Sequence, residues 1–384
     1  MLEELVQPLS SELKLFYTGL PANRWGAQVT FYEGLGLDLE CHDLAIIGVG
    51  EERGTEGNAG CGRAAELLRD ELYNLVRNEA PLRIIDLGNV KLGEKMMDTY
   101  YALATVLEEL MMNKVTPIVI GGSHDLTLAQ YMAYEKLKKQ VNLVVVDERI
   151  DLQDVDAVIT DENFLGRLLT YEPLMLHHYT HIGYQSYFTD SKSIATLEKL
   201  NFDCIRLGDM RKNMEEAEPL VRDADLVSFD ISAIKMGDAP GHRLASPNGF
   251  YGEEACQITR YAGMSDRVSS LGLYGFNPTF DHQRQTAQLL AQMVWYFVEG
   301  YYNRKGDNPV EDHREYLKYI VDFKEGEYEL VFWKSKKSDR WWLEVPAPPG
   351  KKHKPKLVSC SYADYQTAVK EELPDRWIRA YERQ

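Results

Sequence analysis

TPIVIGGSHD, residues Thr116 to Asp125, is an apolar run rich in β-branched residues that stops at two glycines and is followed at once by Ser123, His124 and Asp125. Such a run reads as a strand buried on both faces, because Val and Ile suit a pleated surface and no polar residue alternates with them. Seven further runs have the same character: Leu44 to Gly50, Leu82 to Gly88, Val141 to Asp147, Thr180 to Gln185, Asp203 to Asp209, Ala224 to Ser232 and Val268 to Phe276. Between them lie amphipathic stretches of helical length, among them CGRAAELLRDELYNLV, MMDTYYALATVLEELMM, DLTLAQYMAYEKLKK, SIATLEKL and a closing helix from about Arg284 to Tyr301. This β-α alternation predicts an α/β fold, three layers α/β/α around a mostly parallel sheet of about eight strands.

After Asn308 the composition turns aromatic and lysine-rich, and YIVDFKEGEYELVFWKSKKSDRWWLEVP reads as a hairpin with KSKKSD at its turn, followed by PAPPGKKHKPK. The expected organisation is an N-terminal extension over 1–43, the α/β/α domain over 44–307, and a small β-rich accessory extension over 308–384. Lysines beside Trp333, Trp341 and Trp342 are the composition of a nucleic-acid surface, but a solvated turn flanked by packed aromatics explains them as well and is the commoner case.

With 384 residues and 44% hydrophobic content, the chain is long enough for one large core, and no apolar run is long enough to cross a bilayer. A formal net charge of −17 argues against nucleic acid and anionic membrane surfaces as partners and leaves small molecules or further copies of the chain. The acidic N-terminus lacks the order of an export signal, and the five scattered cysteines contain no CxxC pair, which together predict a cytoplasmic protein with reduced thiols.

Three polar segments each fall directly after a strand: GGSHD (Gly121 to Asp125), DERID (Asp147 to Asp151) and SFDIS (Ser228 to Ser232). Ligands in open parallel sheets bind outside the carboxyl ends of strands, so these segments are expected to share one pocket. Alternation along an extended backbone puts Asp147, Arg149 and Asp151 on one side, and pairs Asp230 with Ser232. His124, Asp147, Asp151 and Asp230 thereby become candidate ligands for a borderline-hard ion such as Mn2+. For any one Asp at a strand end, a cap or turn is the commoner role; three such segments together weigh against it.

In order and spacing these motifs resemble those of the ureohydrolase family of arginase, agmatinase and formimidoylglutamase: GGDHS, DAHxD, and SFDxD followed by an APG loop. Here they stand as GGSHD, DERID and SFDIS, with DAPGHRLASPNGFYG (Asp238 to Gly252) after the last. The segments GVGEERGTEGNAGCGRAAELLR and LYGFNPTFD extend the resemblance, which runs from about Ala45 to Tyr301. It implies a binuclear Mn2+ hydrolase whose metal-bridging hydroxide attacks a guanidinium or amidine carbon, assembled as a trimer or hexamer.

The departures are specific. One ion's ligands carry over as His124, Asp147, Asp151 and Asp230, with His124 and Asp151 as the catalytic pair. Where the family has its second His this chain has Arg149, and Ser232 replaces the second Asp of SFDxD. An arginine stays protonated and cannot ligate, so one ion or none is expected, with the Arg149 guanidinium taking the other ion's place between Asp147 and Asp230. Gly275 stands where the family's Glu grips a cationic substrate, Ser123 where an Asp supports the ligand His, and VDAVITDENFLG has no counterpart of the arginase proton-shuttle His. His242 and Arg243, in the loop after SFDIS, are candidates for contact with an anionic ligand, or simply exposed loop residues.

Two motifs are set aside. GVGEERG has GxGxxxG spacing and acids that would repel a pyrophosphate, which argues against NAD. LHHYTH (Leu176 to His181) has metal-like histidine spacing for a helix, but it runs from a loop into a strand. Two readings remain: a divergent family protein with at most one metal, impaired in guanidine hydrolysis, or an active metal-dependent hydrolase of C–N bonds in linear amidines.

Overall fold

The computed structural model describes residues 2–36, 38–78, 83–153, 158–307, 313–323, 328–347 and 355–383. The expected strands all form, as β1 (Leu44–Val49), β2 (Ile84–Val90), β3 (Thr116–Gly121), β4 (Val141–Val146), β5 (Leu176–Tyr184), β6 (Asp203–Arg206), β7 (Leu226–Asp230) and β8 (Ser270–Tyr274). They lie parallel in the order β2-β1-β3-β8-β7-β4-β5-β6. Two short N-terminal strands pair with β2: Val6–Gln7 antiparallel and Thr30–Phe31 parallel.

Alternate residues of each strand enter two separate cores. Ile46, Ile118, Val144 and Phe229 pack with Leu68, Leu72, Ile258 and Phe297 of the helices α1 (Ala64–Tyr73), α6 (Gly252–Met264) and α7 (Gln285–Tyr302). Ile47, Val119 and Val145 pack on the other face with Leu103, Leu107, Met132, Leu165 and Leu197, from α2 (Met96–Met112), α3 (Leu126–Lys136), α4 (Phe164–Leu169) and α5 (Ser191–Lys199). Burial on both faces is why these strands read as unbroken apolar runs.

Two boundaries differ from the sequence reading. β6 stops at Arg206, and Leu207–Lys212 is helical, with Leu207 and Met210 buried at a three-residue spacing that a strand cannot use. β5 begins at Leu176, so LHHYTH lies wholly within a strand and its histidines cannot share one helical face.

The C-terminal extension forms its own antiparallel sheet, β9 (Tyr316–Phe323), β10 (Tyr328–Ser335), β11 (Trp341–Val345) and β12 (Lys356–Cys360), followed by α8 (Tyr362–Val369) and α9 (Asp375–Glu382). KSKKSD spans the β10–β11 turn, with Lys334 opposite Trp341, whereas most of PAPPGKKHKPK lies outside the described residues. Phe323, Leu330, Phe332, Trp341 and Leu343 make a third core. Buried Arg222 joins it to the large domain: Nη2 donates to the carbonyls of Trp341 at 2.8 Å and Cys360 at 3.0 Å, and the guanidinium lies 4.4 Å from the Trp342 ring centroid.

Candidate metal centre

Four neighbouring strands, β3, β8, β7 and β4, end at the same edge of the sheet, and the residues that follow them meet there. His124 comes from the turn between β3 and α3, Asp147 and Asp151 from the irregular segment after β4, and Asp230 from the last position of β7. His124 Nδ1 lies 2.9 Å from Asp147 Oδ2, 3.5 Å from Asp151 Oδ2 and 3.7 Å from Asp230 Oδ2. The side chains of these three acids are at most 7% exposed.

His124 is oriented from behind. Its Nε2 lies 3.0 Å from Ser228 Oγ, which in turn lies 2.6 Å from Thr127 Oγ1. Donation from Nε2–H to Ser228 leaves the Nδ1 lone pair facing the carboxylates. Nδ1 is buried without a hydrogen bond of acceptable geometry, although Asp147 is within ion-pair distance. An orphaned imidazole nitrogen facing buried carboxylates fits a divalent ion, which would draw on that lone pair and on oxygens from the acids together.

The electrostatics point the same way. Burial alone would lower the pKa of His124, but the neighbouring carboxylates of Asp147, Asp151 and Asp230 outweigh it and push the ring well above the usual histidine range. Burial opposes ionisation of Asp147, but His124 overcomes it and holds the carboxyl below the ordinary range, while burial and then Asp147 push Asp151 well above it. The cluster therefore demands positive charge, which a dication held there would supply in place of the protons.

Ser232 and Arg149 act differently from the sequence expectation. Asp147 Oδ1, the oxygen turned away from His124, accepts from the backbone N–H of Arg149 at 2.9 Å and from Ser232 Oγ–H at 3.2 Å. The Arg149 guanidinium does not lie between Asp147 and Asp230. Its Nε is 3.4 Å from Glu148 Oε1, its central carbon is 4.2 Å from the Phe188 ring centroid, and the side chain is 27% exposed. The alternation used to place it fails because β4 ends at Val146 and the chain beyond is irregular, so Arg149 reaches Asp147 through its amide alone. Among the described residues, no ion pair joins its guanidinium to Asp147 or Asp230.

Gly275 has φ +80°, and a Cβ there would come within 2.7 Å of Asp230 Oδ2, so the chain passes too close to the cluster for a side chain. Its carbonyl accepts from Asn58 Nδ2 at 2.8 Å, and Asn277 Nδ2 donates to the Asn58 carbonyl at 3.0 Å, locking the loop after β8 to the one after β1. Ser123 Oγ lies 3.4 Å from the Glu51 carbonyl, and support for His124 comes from Ser228 instead. His242 is half-buried at the rim; burial lowers its pKa, against the pull of Asp230 and Asp147. Exposed Arg243 turns to the Glu56 carbonyl at 3.2 Å.

Two neighbours were given no role by the sequence reading. Buried His181 places Nε2 3.1 Å from the Asp147 carbonyl and Nδ1 2.8 Å from Tyr179 Oη, and burial depresses its pKa to about 4. Glu148 is fully buried, Gln185 Nε2 donates to it at 3.3 Å, and burial, then the charge of Asp147, raise its pKa to about 8. Ser228 was open to discovery, since it sits two residues before Asp230 on one strand face. Residues 155–157, the first three of the segment without a shuttle histidine, lie outside the described residues.

A model described as the arginase family matches residues 42–299. Formimidoylglutamase of Staphylococcus aureus (strain MRSA252) is 24% identical over 272 residues, covering 67% of this chain and 86% of that protein. Among solved structures, Trypanosoma cruzi formiminoglutamase with Mn2+ superposes with TM-score 0.65 at 19% identity, covering 70% of this chain and 97% of the other. Formimidoylglutamase from Bacillus subtilis subsp. subtilis str. 168 gives TM-score 0.66 at 16% identity over 73% and 93% of the two chains. Agmatine ureohydrolase of Thermoplasma volcanium gives TM-score 0.61 at 19% identity over 77% and 98%. At these identities the structural likeness speaks to the fold.

Proposed function

Because the chain belongs to the arginase family, we propose that it holds a single divalent ion, Mn2+, on His124, Asp147, Asp151 and Asp230. The observation that carries this is the double capping of Asp147 Oδ1 by the Arg149 amide and the Ser232 hydroxyl, which occupies the oxygen that a second ion would need. When bound, the ion supplies Lewis acidity and lowers the pKa of a coordinated water. The chain's own residues do the rest. Ser228 fixes the imidazole, and Gly275 lets the backbone pass beside Asp230 without a side chain.

Substrate choice follows from charge. Gly275 offers no anion to a guanidinium tail, whereas Arg149 presents a partly exposed cation stacked on Phe188 beside the cluster. That arrangement favours a linear amidine carrying a carboxylate over arginine or agmatine. The 24% identical relative named formimidoylglutamase supports the same reading. The reaction is hydrolysis of the amidine C–N bond, impaired toward guanidines. Assembly into a trimer or hexamer in the cytoplasm is part of this proposal, and light scattering on the purified chain checks the first element.

A catalytically silent, ligand-holding relative is the second reading, favoured by the near-complete burial of the cluster. Release of formamide from formimidoylglutamate, and of urea from agmatine, arginine and guanidinobutyrate, after Mn2+ loading separates the two. Turnover of the first compound only, lost in Asp151→Ala, is the expected result. Bound metal with no release from any of the four would establish the silent reading, and release of urea from arginine would refute the charge assignment.

A further inference from the structure

A cavity of about 370 Å3 lies at the opposite ends of the strands, where the C-terminal extension docks on the large domain. Asn142 at the start of β4 and His177 at the start of β5 line one side with Arg267; Lys356 of β12 and Arg383 after α9 line the other. Five residues of strand separate Asn142 from Asp147, which puts this cavity about 16 Å from the metal cluster, at roughly 3.3 Å per residue.

Its charged lining is mostly cationic. Arg267, Lys356 and Arg383 face a single lining carboxylate, Asp223. Asp223 is engaged by Ser359, whose backbone N–H and Oγ–H donate to it at 3.0 and 2.6 Å. The two arginines are tethered from behind, Arg267 Nη2 to Asp225 at 2.9 Å and Arg383 Nη1 to Asp203 at 3.6 Å. Among the described residues their remaining guanidinium nitrogens make no hydrogen bond, so both retain donors for a ligand. His177 Nδ1 is 3.1 Å from Asn142 Oδ1. Burial first, and then the lining groups Lys356, His178, Arg383 and Arg267, lower the pKa of this ring. In a chain of net charge −17, three convergent cations are not background.

We propose that this junction cavity binds a small oxyanion, a carboxylate or a phosphate group, through Arg267, Lys356 and Arg383. Because the cations come from both units, occupancy strengthens their docking, and the ligand acts on the assembly rather than on the metal cluster. Neither the family assignment nor the catalytic reading is needed for this site.

Calorimetric titration of the full-length chain with inorganic phosphate and, separately, with glutarate tests it, alongside Lys356→Glu. Lys356 is exposed, so reversing its charge leaves the fold intact. Saturable binding of at least one anion, weakened tenfold or more in Lys356→Glu while the anion-free melting temperature is unchanged, is expected; the better-bound anion identifies the ligand chemistry. Arg383→Gln, as a second variant, is expected to weaken the same anion. Failure of both anions to titrate, or undiminished binding by Lys356→Glu, would overturn the proposal.

Discussion

Ser232→Asp reintroduces an acid where the second ion's ligand would stand. Ser232 Oγ lies 3.2 Å from Asp147 Oδ1, and the two residues are 5% and 3% exposed. A carboxylate at that separation repels Asp147 by roughly 5 kcal/mol at an effective permittivity of about 20. Protonation limits the cost: holding a carboxyl neutral at pH 7 costs about 1.36 kcal/mol per unit above its ordinary pKa, or about 4 kcal/mol in all. In chelator, Ser232→Asp is therefore expected to lose about 4 kcal/mol at pH 7, and less at pH 5, where protonation is cheaper. Ser232→Asn has the shape of the Asp variant without its charge and keeps an N–H donor for Asp147, so a loss of no more than about 1 kcal/mol is expected. Mn2+ is expected to restore more stability to Ser232→Asp than it adds to the wild type, since a second dication then has a ligand. Urea denaturation with and without Mn2+ measures all three proteins. Equal stability of the Asp and Asn variants in chelator, or an equal Mn2+ gain in wild type and Ser232→Asp, would refute the assignment of the second seat to a hydroxyl.

Gly275→Ala places a Cβ within 2.7 Å of Asp230 Oδ2 at φ +80°, so a loss of about 1–3 kcal/mol and weaker Mn2+ binding are expected in denaturation and metal titrations. Arg69→Met breaks a buried pair in which Arg69 Nε and Nη2 hold Asp86 at 2.7 and 3.0 Å, leaving that carboxylate unpaired at a cost of about 3–5 kcal/mol by urea denaturation. Burial works against ionised Asp203, but His178 at 2.8 Å and the charges of Arg383 and Arg379 overcome it and hold the carboxyl well below the usual range. The stability it contributes is present above the ordinary carboxylate pKa and is lost as pH falls through its depressed folded value. Asp203→Asn is accordingly expected to lower the melting temperature at pH 7 and to flatten its fall between about pH 4 and pH 2, readable by scanning calorimetry.

The strands were legible because burial on both faces leaves uninterrupted runs such as IIGV and VIGG, and the helices because MMDTYYALATVLEELMM carries its own period. The convergence of GGSHD, DERID and SFDIS followed from a general property of parallel sheets, although the order that makes β3, β8, β7 and β4 neighbours is not written in any local pattern. Arg149 was misplaced for a local reason: alternation holds only while the backbone is extended, and here it stops at Val146. Glu148 and His181 were given no part in the site, Glu148 by the alternation that fails beyond Val146 and His181 because LHHYTH was set aside as a passage into a strand; both are buried beside Asp147. The junction cavity depends on how two units dock, and Lys356 lies far in sequence from Asn142 and His177.

Anomalous diffraction at the manganese edge from crystals grown in excess Mn2+ addresses the central claim most directly. A single peak bounded by His124 Nδ1, Asp147, Asp151 and Asp230, with Ser232 still donating to Asp147 Oδ1, is the predicted result. Two peaks a few ångströms apart, the second beside Asp147 Oδ1, would contradict it.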